Sequence, residues 1–503
     1  MKPLNWRELD VRIYAVCVSL FISAIAFQFP YVNRPNDDAY TYIRTAEIFL
    51  SDGFAAAFQH YTWASYAILI AIVSKLGMGL FTAAYVIDSI WYALIVFVFI
   101  SIVKEAQPSR LVLVLAAVVV LVHPQLNEYR RFIIRDSGFW ALSLLALWQY
   151  LLYARTGSVK FAVGFCSALL IATTLRPEAL FYLAATPFAL LFDPRVERDE
   201  SQRRFLILAS LVAAIGLLVL IGLMMSWINV FALLIEFVSR YKPFLVNTFS
   251  PEPAEAAAMG NVLFGEYAAA YSQEYIAIFM AAGLLMILLA NLYNSISGPF
   301  LLILIYGVIQ KQMRMTRAVA MPLLVFLLVN GLVLLSFLII TRYLSGRYAI
   351  LFSLMLALFV PQIIAYYLQN KTESKRRLAS ILVGIFLAYC AVDSYVSFGD
   401  YKAYVYDAAA WIQDNDDRSS NLLTNNNAIG YRSGKVTDYD KITRNLTSEE
   451  ILQTEVGDLI AVEMTYAMTQ LLTTPAISAR LEPIVAFPNA EDQRVVIFRR
   501  TIR

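Results

Sequence analysis

Two adjacent carboxylates, Asp37 and Asp38, follow the first long apolar stretch of the chain. Carboxylates at a membrane boundary are costly unless water, a cation or a substrate meets them. A group transfer to a hydroxyl with inversion needs a base within about 2.6–3.2 Å of that hydroxyl in the reactive complex. One of the two carboxylates could supply this base. The alternative is a solvated loop in which Asp38 caps a helix that starts at Ala39.

Three arginines, Arg130, Arg131 and Arg135, share one short predicted outer loop with Asp136. This density is unusual, because Lys and Arg favour the cytoplasmic side of a membrane. Guanidinium groups match phosphate oxygens, and a phosphate leaving group needs its charge neutralised as the bond breaks. We therefore expect a phosphate ligand here. The alternative is pairing with Glu128, with Asp136 or with lipid headgroups.

Two further polar groups lie at predicted outer ends of helices. Arg342 and Arg347 flank a short segment that includes Tyr343, and they could bind the same phosphate or anchor a helix end. Arg176 and Glu178 flank a proline between two short apolar runs. They could pair with each other, or they could line a cavity at a broken span.

The elements that must position these side chains are membrane helices. Of the 503 residues, 60% are hydrophobic and 15% are charged, against about 45–50% and about 25% in soluble domains. The net charge of +3 does not suggest nucleic-acid binding, and the three cysteines lie in apolar runs, which argues against a disulfide framework. No cofactor is predicted from motif spacing, although Asp37 and Asp38 could hold a divalent cation.

The apolar runs predict a polytopic α-helical membrane protein with about eleven transmembrane helices and an uncleaved first span. The predicted spans lie near 11–30, 80–103, 110–123, 137–154, 159–174, 178–192, 205–227, 296–311, 318–340, 347–369 and 378–397. Under this count the basic loops share one side with Lys2 and Arg7, which predicts a cytoplasmic N-terminus. The loops 31–79 and 228–295 then lie outside, and we expect the apolar stretch Tyr275–Leu292 to lie along or dip into the membrane.

The composition changes near residue 399, where charged residues become frequent. The pattern predicts a transmembrane catalytic domain, 1–398, and a small soluble α/β domain on the outer side, 399–503. In the second domain we expect an amphipathic helix over 404–414 and strands over 422–424, 459–462 and 495–498.

In order, the motifs resemble the GT-C superfamily of membrane glycosyltransferases, especially bacterial relatives of protein O-mannosyltransferases and of the lipid A aminoarabinose transferase. Asp37-Asp38-Ala39-Tyr40 is similar to that family's Asp-Glu-Ala-Tyr motif, and Arg342-Tyr343 to its late Arg-Tyr motif. His60 falls where the family often has His-Pro-Pro, although Tyr61 and Thr62 replace the prolines. Further similar segments are Ile134–Trp140, Leu175–Ala179, Trp411-Ile412, Thr424-Asn425 and Tyr431–Gly434.

The resemblance implies an inverting glycosyltransferase in a bacterial inner membrane. It implies a polyprenyl-phosphate-linked sugar as donor and a glycan, lipid or protein as acceptor. Both would bind on the periplasmic face. It further implies Asp37 as the base, Asp38 in orienting the acceptor or binding a metal, and arginines on the carrier phosphate. The substrate cavity would include His60, Asp136, Arg176, Glu178 and Tyr343.

Three other functions remain open at this point. A transporter or flippase for a lipid-linked glycan would place polar groups at the midplane and often shows inverted repeats, whereas here the charges cluster at the outer boundary. An O-antigen ligase or polymerase would share the arginines but would not need the acid pair. A scaffold or sensor would leave Asp37 and the arginines without a role.

Overall fold

The computed structural model describes residues 10–28, 36–193, 196–225, 253–313, 315–396, 402–415 and 420–501, with isolated positions at 235, 239, 242 and 246. The chain forms two compact units, described separately below. The predicted domain boundary at 398/399 lies outside the described residues, as do Lys2, Arg7, Arg195, Arg240 and Arg314.

The first unit comprises Met1–Leu20, Trp91–Tyr129 and Asp136–Val396, and its described part is helical. Two of its helices, Val11–Gln28 and Leu80–Ala106, lie partly in the other unit. The remaining helices are Arg110–Leu121, Pro124–Glu128, Asp136–Thr156, Val159–Leu175, Ala179–Ala185, Arg198–Met225, Pro253–Ser272, Ile276–Ile296, Gly298–Ile309, Arg317–Thr341, Ile350–Ala357, Val360–Gln369 and Glu373–Tyr395. Short 3-10 turns occur at Tyr129–Arg131, Thr186–Phe192, Gln273–Tyr275 and Gly346–Ala349.

Six segments in the described part of the chain are long and apolar enough to cross a membrane, or seven if one bent pair counts as a span. The six are Leu80–Ala106, Arg198–Val219, Ile276–Ile296, Ala318–Thr341, Gly346–Gln369 and Lys375–Tyr395. The predicted count of about eleven is not confirmed. Several predicted spans correspond to apolar helices of 10–17 residues, and at 1.5 Å per residue these are shorter than a hydrocarbon core of about 30 Å.

The region around Ser297 differs in detail from the prediction. Ile276–Ile296 is one continuous helix of 21 residues whose length and composition suit a span, whereas the sequence analysis placed most of it in an outer loop. Ser297 has a φ of 66° and separates this helix from Gly298–Ile309. A positive φ is uncommon for a residue other than glycine and interrupts the helix here, and the break falls at the predicted start of the span 296–311.

A broken helix leads to the arginine-rich segment. Arg110–Leu121 and Pro124–Arg131 meet at a bend of 47°. The carbonyl groups released at the bend find side-chain donors: Asn127 Nδ2 donates to Leu121 O over 2.8 Å and Ser394 Oγ donates to Val122 O over 2.8 Å. Non-helical backbone at membrane depth is tolerated where such donors satisfy it.

The second unit comprises Phe21–Ile90, Arg130–Arg135 and Ser397–Arg503. Its N-terminal part contains the helices Asp37–Asp52, Phe54–His60 and Ser65–Ser74. Its C-terminal part contains the helices Ala403–Asn415, Asn427–Ser433, Ser448–Leu452, Tyr466–Leu472 and Pro475–Ser478. These two parts, far apart in sequence, fold together around shared aromatic contacts.

The C-terminal part also forms a four-stranded sheet. Its strands are β1 (Leu422–Thr424), β2 (Leu459–Glu463), β3 (Leu481–Pro488) and β4 (Gln493–Arg500), in the order β1-β2-β4-β3. β1 and β2 are parallel, and β4 is antiparallel to both β2 and β3. The predicted helix and three predicted strands match this structure, and β3 was not predicted.

The core of this part lies on both faces of the sheet. Leu459 and Ala461 of β2 pack in a cluster with helix Ala403–Asn415, while Ile460 and Val462 pack in a second cluster with the later helices. A strand covered on both faces reads as a continuous apolar run rather than an alternating one. This is why the sequence pattern predicted β2 correctly.

Candidate active site

The acid pair opens a helix. Helix Asp37–Asp52 begins at Asp37 itself, so both carboxylates lie in its first turn. Asp38 is therefore not the residue that caps a helix starting at Ala39. Asn36 precedes the helix in an extended conformation, and it makes no side-chain capping bond. Carboxylates in the first turn are favourable because the helix dipole is positive there.

The electrostatic surroundings of Asp37 favour its protonated form. Its side chain is exposed, but desolvation by the surrounding protein raises its pKa above the ordinary value, and the Asp38 carboxylate raises it further. Lys402 and Arg444 oppose this shift, and Glu463 supports it. A carboxylate with a raised pKa is a stronger proton acceptor than an ordinary one, as a general base requires.

The arginine-rich segment is fixed next to the acid pair. The buried backbone N–H of Ile133 donates to the side-chain oxygen of Asn36 over 2.9 Å, and Asn36 directly precedes Asp37. Arg130 is nearly buried and its Nη1 donates to Ser23 Oγ over 2.8 Å. Arg131 is half-buried. The structure thus brings the three predicted arginines and the acid pair into one compact unit.

The surroundings of Arg135 suit a side chain that binds an anion. Its guanidinium carbon lies 5.2 Å from the ring centroid of Trp63 and 6.0 Å from that of Tyr61. Its Nη1 is buried and receives no hydrogen-bond partner from the described residues. Aromatic faces hold a guanidinium in place while leaving its donors available, and a buried donor without an acceptor is costly.

His60 joins the N-terminal helices to the C-terminal part. Its Nε2 lies 2.8 Å from the buried carboxylate of Asp440. Close by in sequence, the Tyr439 hydroxyl donates to Glu47 over 2.9 Å, and the Tyr439 ring contacts the Tyr40 ring at 6.2 Å. These contacts hold the segment around residue 440 against the helix that carries the acid pair. His60 therefore acts at least as a tether.

A polar cluster that the sequence analysis did not single out lies at the ends of β1 and β2. Glu463 Oε1 accepts from Lys402 Nζ over 2.6 Å and from the Tyr404 hydroxyl over 3.4 Å, and Glu463 Oε2 accepts from Asn426 Nδ2 over 2.6 Å. Desolvation opposes ionisation of Glu463, but the hydrogen bond and charge of Lys402 prevail and lower its pKa. The signal was present, because polar residues directly follow two predicted strands.

The remaining predicted residues lie in the first unit. Arg176 follows helix Val159–Leu175 and is nearly buried. It forms an ion pair with Asp136 and donates to Glu178 Oε1 over 2.6 Å. Its guanidinium also stacks on Tyr348, 4.3 Å from the ring centroid, while Arg347 Nε lies 4.0 Å from Asp136 Oδ2. Of the two readings left open by the sequence, internal pairing of Arg176 with Glu178 is present.

A narrow cleft lies beside this ion-pair cluster. Its lining includes Arg176, Glu178 and Asn330 together with apolar side chains. Asn330 is buried and donates to the Tyr182 hydroxyl over 2.6 Å. Arg342 ends helix Arg317–Thr341 in a left-handed conformation, with φ 59°, and Tyr343 is exposed. The cleft thus combines three polar side chains with a mainly apolar wall.

A metal site is not formed by protein ligands alone in the described segments. No group of three or more His, Cys, Asp or Glu side chains there could hold an ion. Asp37 and Asp38 supply two carboxylates, and Mg²⁺ in phosphate-handling sites is commonly held by one or two carboxylates together with substrate phosphates.

Comparisons with known proteins bear on the fold. No protein-family model and no curated protein sequence matches the chain. The crystal structure of the oligosaccharyltransferase of Archaeoglobus fulgidus, in complex with Zn and sulfate, matches with a TM-score of 0.52 at 12% identity, over 98% of this chain and 73% of that chain. ArnT from Cupriavidus metallidurans matches with TM-scores of 0.48 bound to undecaprenyl phosphate and 0.49 in the apo state, at 12% identity, over 96% of this chain and 97% of that chain.

The ArnT scores are too low to carry an argument, and the oligosaccharyltransferase match shows the fold alone. That match shows that this chain shares its fold with an archaeal oligosaccharyltransferase. The roles of individual residues must be argued from the site itself.

Proposed function

We propose that this chain is an inverting glycosyltransferase that moves a sugar from a polyprenyl-phosphate carrier to an acceptor hydroxyl on the periplasmic face of a bacterial inner membrane. The observation that carries this proposal is the hydrogen bond between Asn36 and Ile133, which ties the arginine segment to the acid pair. The reaction needs a base and a phosphate ligand in one place.

Asp37 is the base in this mechanism. It accepts the proton of the acceptor hydroxyl as the oxygen attacks the anomeric carbon of the donor sugar. The bond from that carbon to the carrier phosphate breaks on the opposite face, and configuration inverts. Asp38 keeps the pKa of Asp37 raised and orients the acceptor. Desolvation and the Asp38 carboxylate both support this role, since both strengthen Asp37 as a proton acceptor.

The arginines receive the carrier phosphate. Arg135 supplies a donor that the described residues leave unsatisfied, held on Trp63 and Tyr61. As the glycosidic bond breaks, negative charge collects on the phosphate, and guanidinium donors stabilise it. Arg130 and Arg131 complete the proposed phosphate-binding set of the second unit, and Arg342 and Arg347 are proposed phosphate ligands of the first unit. We further propose substrate contacts for His60 in the second unit and for Asp136, Arg176, Glu178 and Tyr343 in the first.

The experiment measures release of free polyprenyl phosphate from polyprenyl-phosphate-linked sugars in membranes that contain native acceptors. We expect the wild-type chain to release the carrier and Asp37→Asn to lose this activity. Equal release by both proteins would remove Asp37 as the base. Deleting the gene and finding which surface glycan loses a residue would identify the acceptor.

The side of the membrane is tested separately. A cysteine introduced at Tyr343, which is exposed, should react with a membrane-impermeant maleimide added from the periplasm. Reaction only from the cytoplasm would end the proposal, because the site would then face the compartment that holds nucleotide sugars, where a lipid-linked donor is not required.

A further inference from the structure

The second unit contains a polar cluster whose position points to a ligand. β1 and β2 are parallel, and their carboxyl ends carry Asn425, Asn426 and Glu463. In open α/β sheets, ligands commonly bind outside the carboxyl ends of the parallel strands. Lys402 reaches the same edge and contacts Glu463 over 2.6 Å. The cluster therefore stands at the edge where a ligand is expected.

The buried side chain of Asn425 holds the backbone at this edge in place. Asn425 is buried, and its Oδ1 accepts from the backbone N–H of Glu463 over 2.7 Å. Its Nδ2 donates to the backbone carbonyls of Glu463 and of Arg444, over 2.9 Å and 3.0 Å. The side-chain amide of Asn425 thus fixes the backbone of Glu463 and of Arg444. The Glu463 side chain takes no part in these backbone contacts and instead accepts from Lys402, Tyr404 and Asn426.

The helix that follows Asn426, Asn427–Ser433, packs against the helix that carries the acid pair. Tyr40, one turn after Asp37, contacts the rings of Tyr431 and Tyr439 at 5.8 Å and 6.2 Å. The charges of Lys402, Arg444 and Glu463 all act on Asp37. An acceptor hydroxyl that approaches Asp37 therefore belongs to a molecule within reach of this edge.

The chemistry of the edge suits neutral hydroxyl groups. Lys402 and Glu463 compensate each other's charge, so the pair favours neither an anion nor a cation. An ammonium group has three N–H donors and a primary amide has two. Among the described residues, Lys402 uses one of its donors and Asn426 uses one of its donors, both to Glu463. Donors and acceptors that alternate over a short distance match the neighbouring hydroxyls of a sugar, each of which both donates and accepts.

We infer that Lys402, Asn426 and Glu463 form a subsite for a neutral sugar of the acceptor, presented by the sheet edge next to Asp37. The inference rests on the proposed function, since it assigns the acceptor of that reaction to the glycan class. It gives the C-terminal part of the chain a recognition role. A purely structural clasp would instead hold the chain together without binding sugar.

The experiment measures binding of methyl α-glucoside, methyl α-galactoside and methyl α-mannoside to the full chain by saturation-transfer NMR. A detergent without sugar, such as dodecyldimethylamine oxide, avoids competition from the headgroup. We expect at least one glycoside to bind the wild type, and we expect Glu463→Ala and Lys402→Met each to weaken binding by about tenfold or more. No binding to the wild type, or equal binding to the variants, would overturn the inference.

Two controls separate the alternatives. Lys441→Met removes an exposed lysine that pairs with Asp438 over 3.0 Å in the same part of the chain, and it should leave binding unchanged. If Glu463→Ala lowers the melting temperature and leaves glycoside binding intact, the cluster is a clasp. Glycoside binding without any release of polyprenyl phosphate by the wild type would leave the subsite standing and reject the proposed reaction.

Discussion

Asn36 accepts a hydrogen bond from the backbone N–H of Ile133 over 2.9 Å, across 97 positions of sequence. The bond joins the residue before the acid pair to the middle of the arginine segment. Ile133 is fully buried, so water cannot replace the lost acceptor without a change in structure. This hydrogen bond connects the acid pair to the arginine segment. The first test is therefore to remove it.

Asn36→Ala should lower both stability and donor affinity. The buried N–H of Ile133 would lose its acceptor, at a cost of about 1–3 kcal/mol in the free energy of unfolding, and the arginine segment would no longer be fixed. Asn36→Asp keeps an acceptor oxygen and should retain most of the stability. Thermal unfolding in detergent and the KM for the donor check this. If Asn36→Ala had the stability and the donor KM of Asn36→Asp and of the wild type, the contact would not organise the site.

Asp37→Asn should abolish transfer without loss of stability. Loss of a positioned base typically costs about 10²- to 10⁴-fold in rate. The pKa of Asp37 is raised in the folded chain, so above both pKa values its ionisation lowers the free energy of unfolding. Neutral Asn should therefore leave the melting temperature unchanged or raise it. The control is Asp52→Asn, which changes an exposed acid in the last turn of the same helix and should retain activity. A large loss of stability in Asp37→Asn would contradict the expected effect of Asp37 ionisation on the free energy of unfolding.

Asp38→Asn should shift the pH dependence of transfer. Desolvation is the larger cause of the raised pKa of Asp37, and the Asp38 charge is the second. Removing that charge lowers the pKa of Asp37, so the acidic limb of the kcat/KM profile should move to lower pH. A limb that stays in place or moves to higher pH would show that a different group titrates.

Arg135→Ala should raise the KM for the donor about ten- to hundredfold, since a hydrogen bond to a charged group contributes about 1.5–3 kcal/mol. Arg135→Lys should restore only part of the affinity, because an ammonium lacks the planar fork that stacks on Trp63. Arg203→Ala, at an exposed pair with Glu200, is the matched control. Donor saturation curves decide, and an unchanged KM would remove Arg135 from the phosphate site.

Arg176→Ala should destabilise the first unit strongly. It would leave buried Asp136 with only the longer contact to Arg347, at 4.0 Å, and breaking a buried ion pair costs about 3–5 kcal/mol. The double variant Arg176→Gln with Asp136→Asn removes both charges and should recover much of that loss. Thermal unfolding of the three proteins in one detergent checks the prediction. Equal melting temperatures of the single variant and the wild type would show that the pair is not structural.

The sequence by itself determined the features that depend on local pattern. Apolar run length predicted a helical membrane protein, and the composition change near residue 399 predicted a small α/β part with the correct strands β1, β2 and β4. β3 was missed because it is an edge strand that contains Pro483, and proline weakens a strand pattern. The span-length helix Ile276–Ile296 was likewise missed, since apolarity alone does not distinguish a span from a segment that lies along the membrane.

Only the tertiary structure decided which of the chemically suited residues meet. His60 and Asp440 are 380 positions apart in sequence and 2.8 Å apart in space, and no local pattern connects them. Lys402, Asn426 and Glu463 each looked like ordinary polar residues beside a helix or strand. The physical reason is that periodicity reports which face of an element is buried, whereas contacts between distant elements depend on how all buried faces pack together.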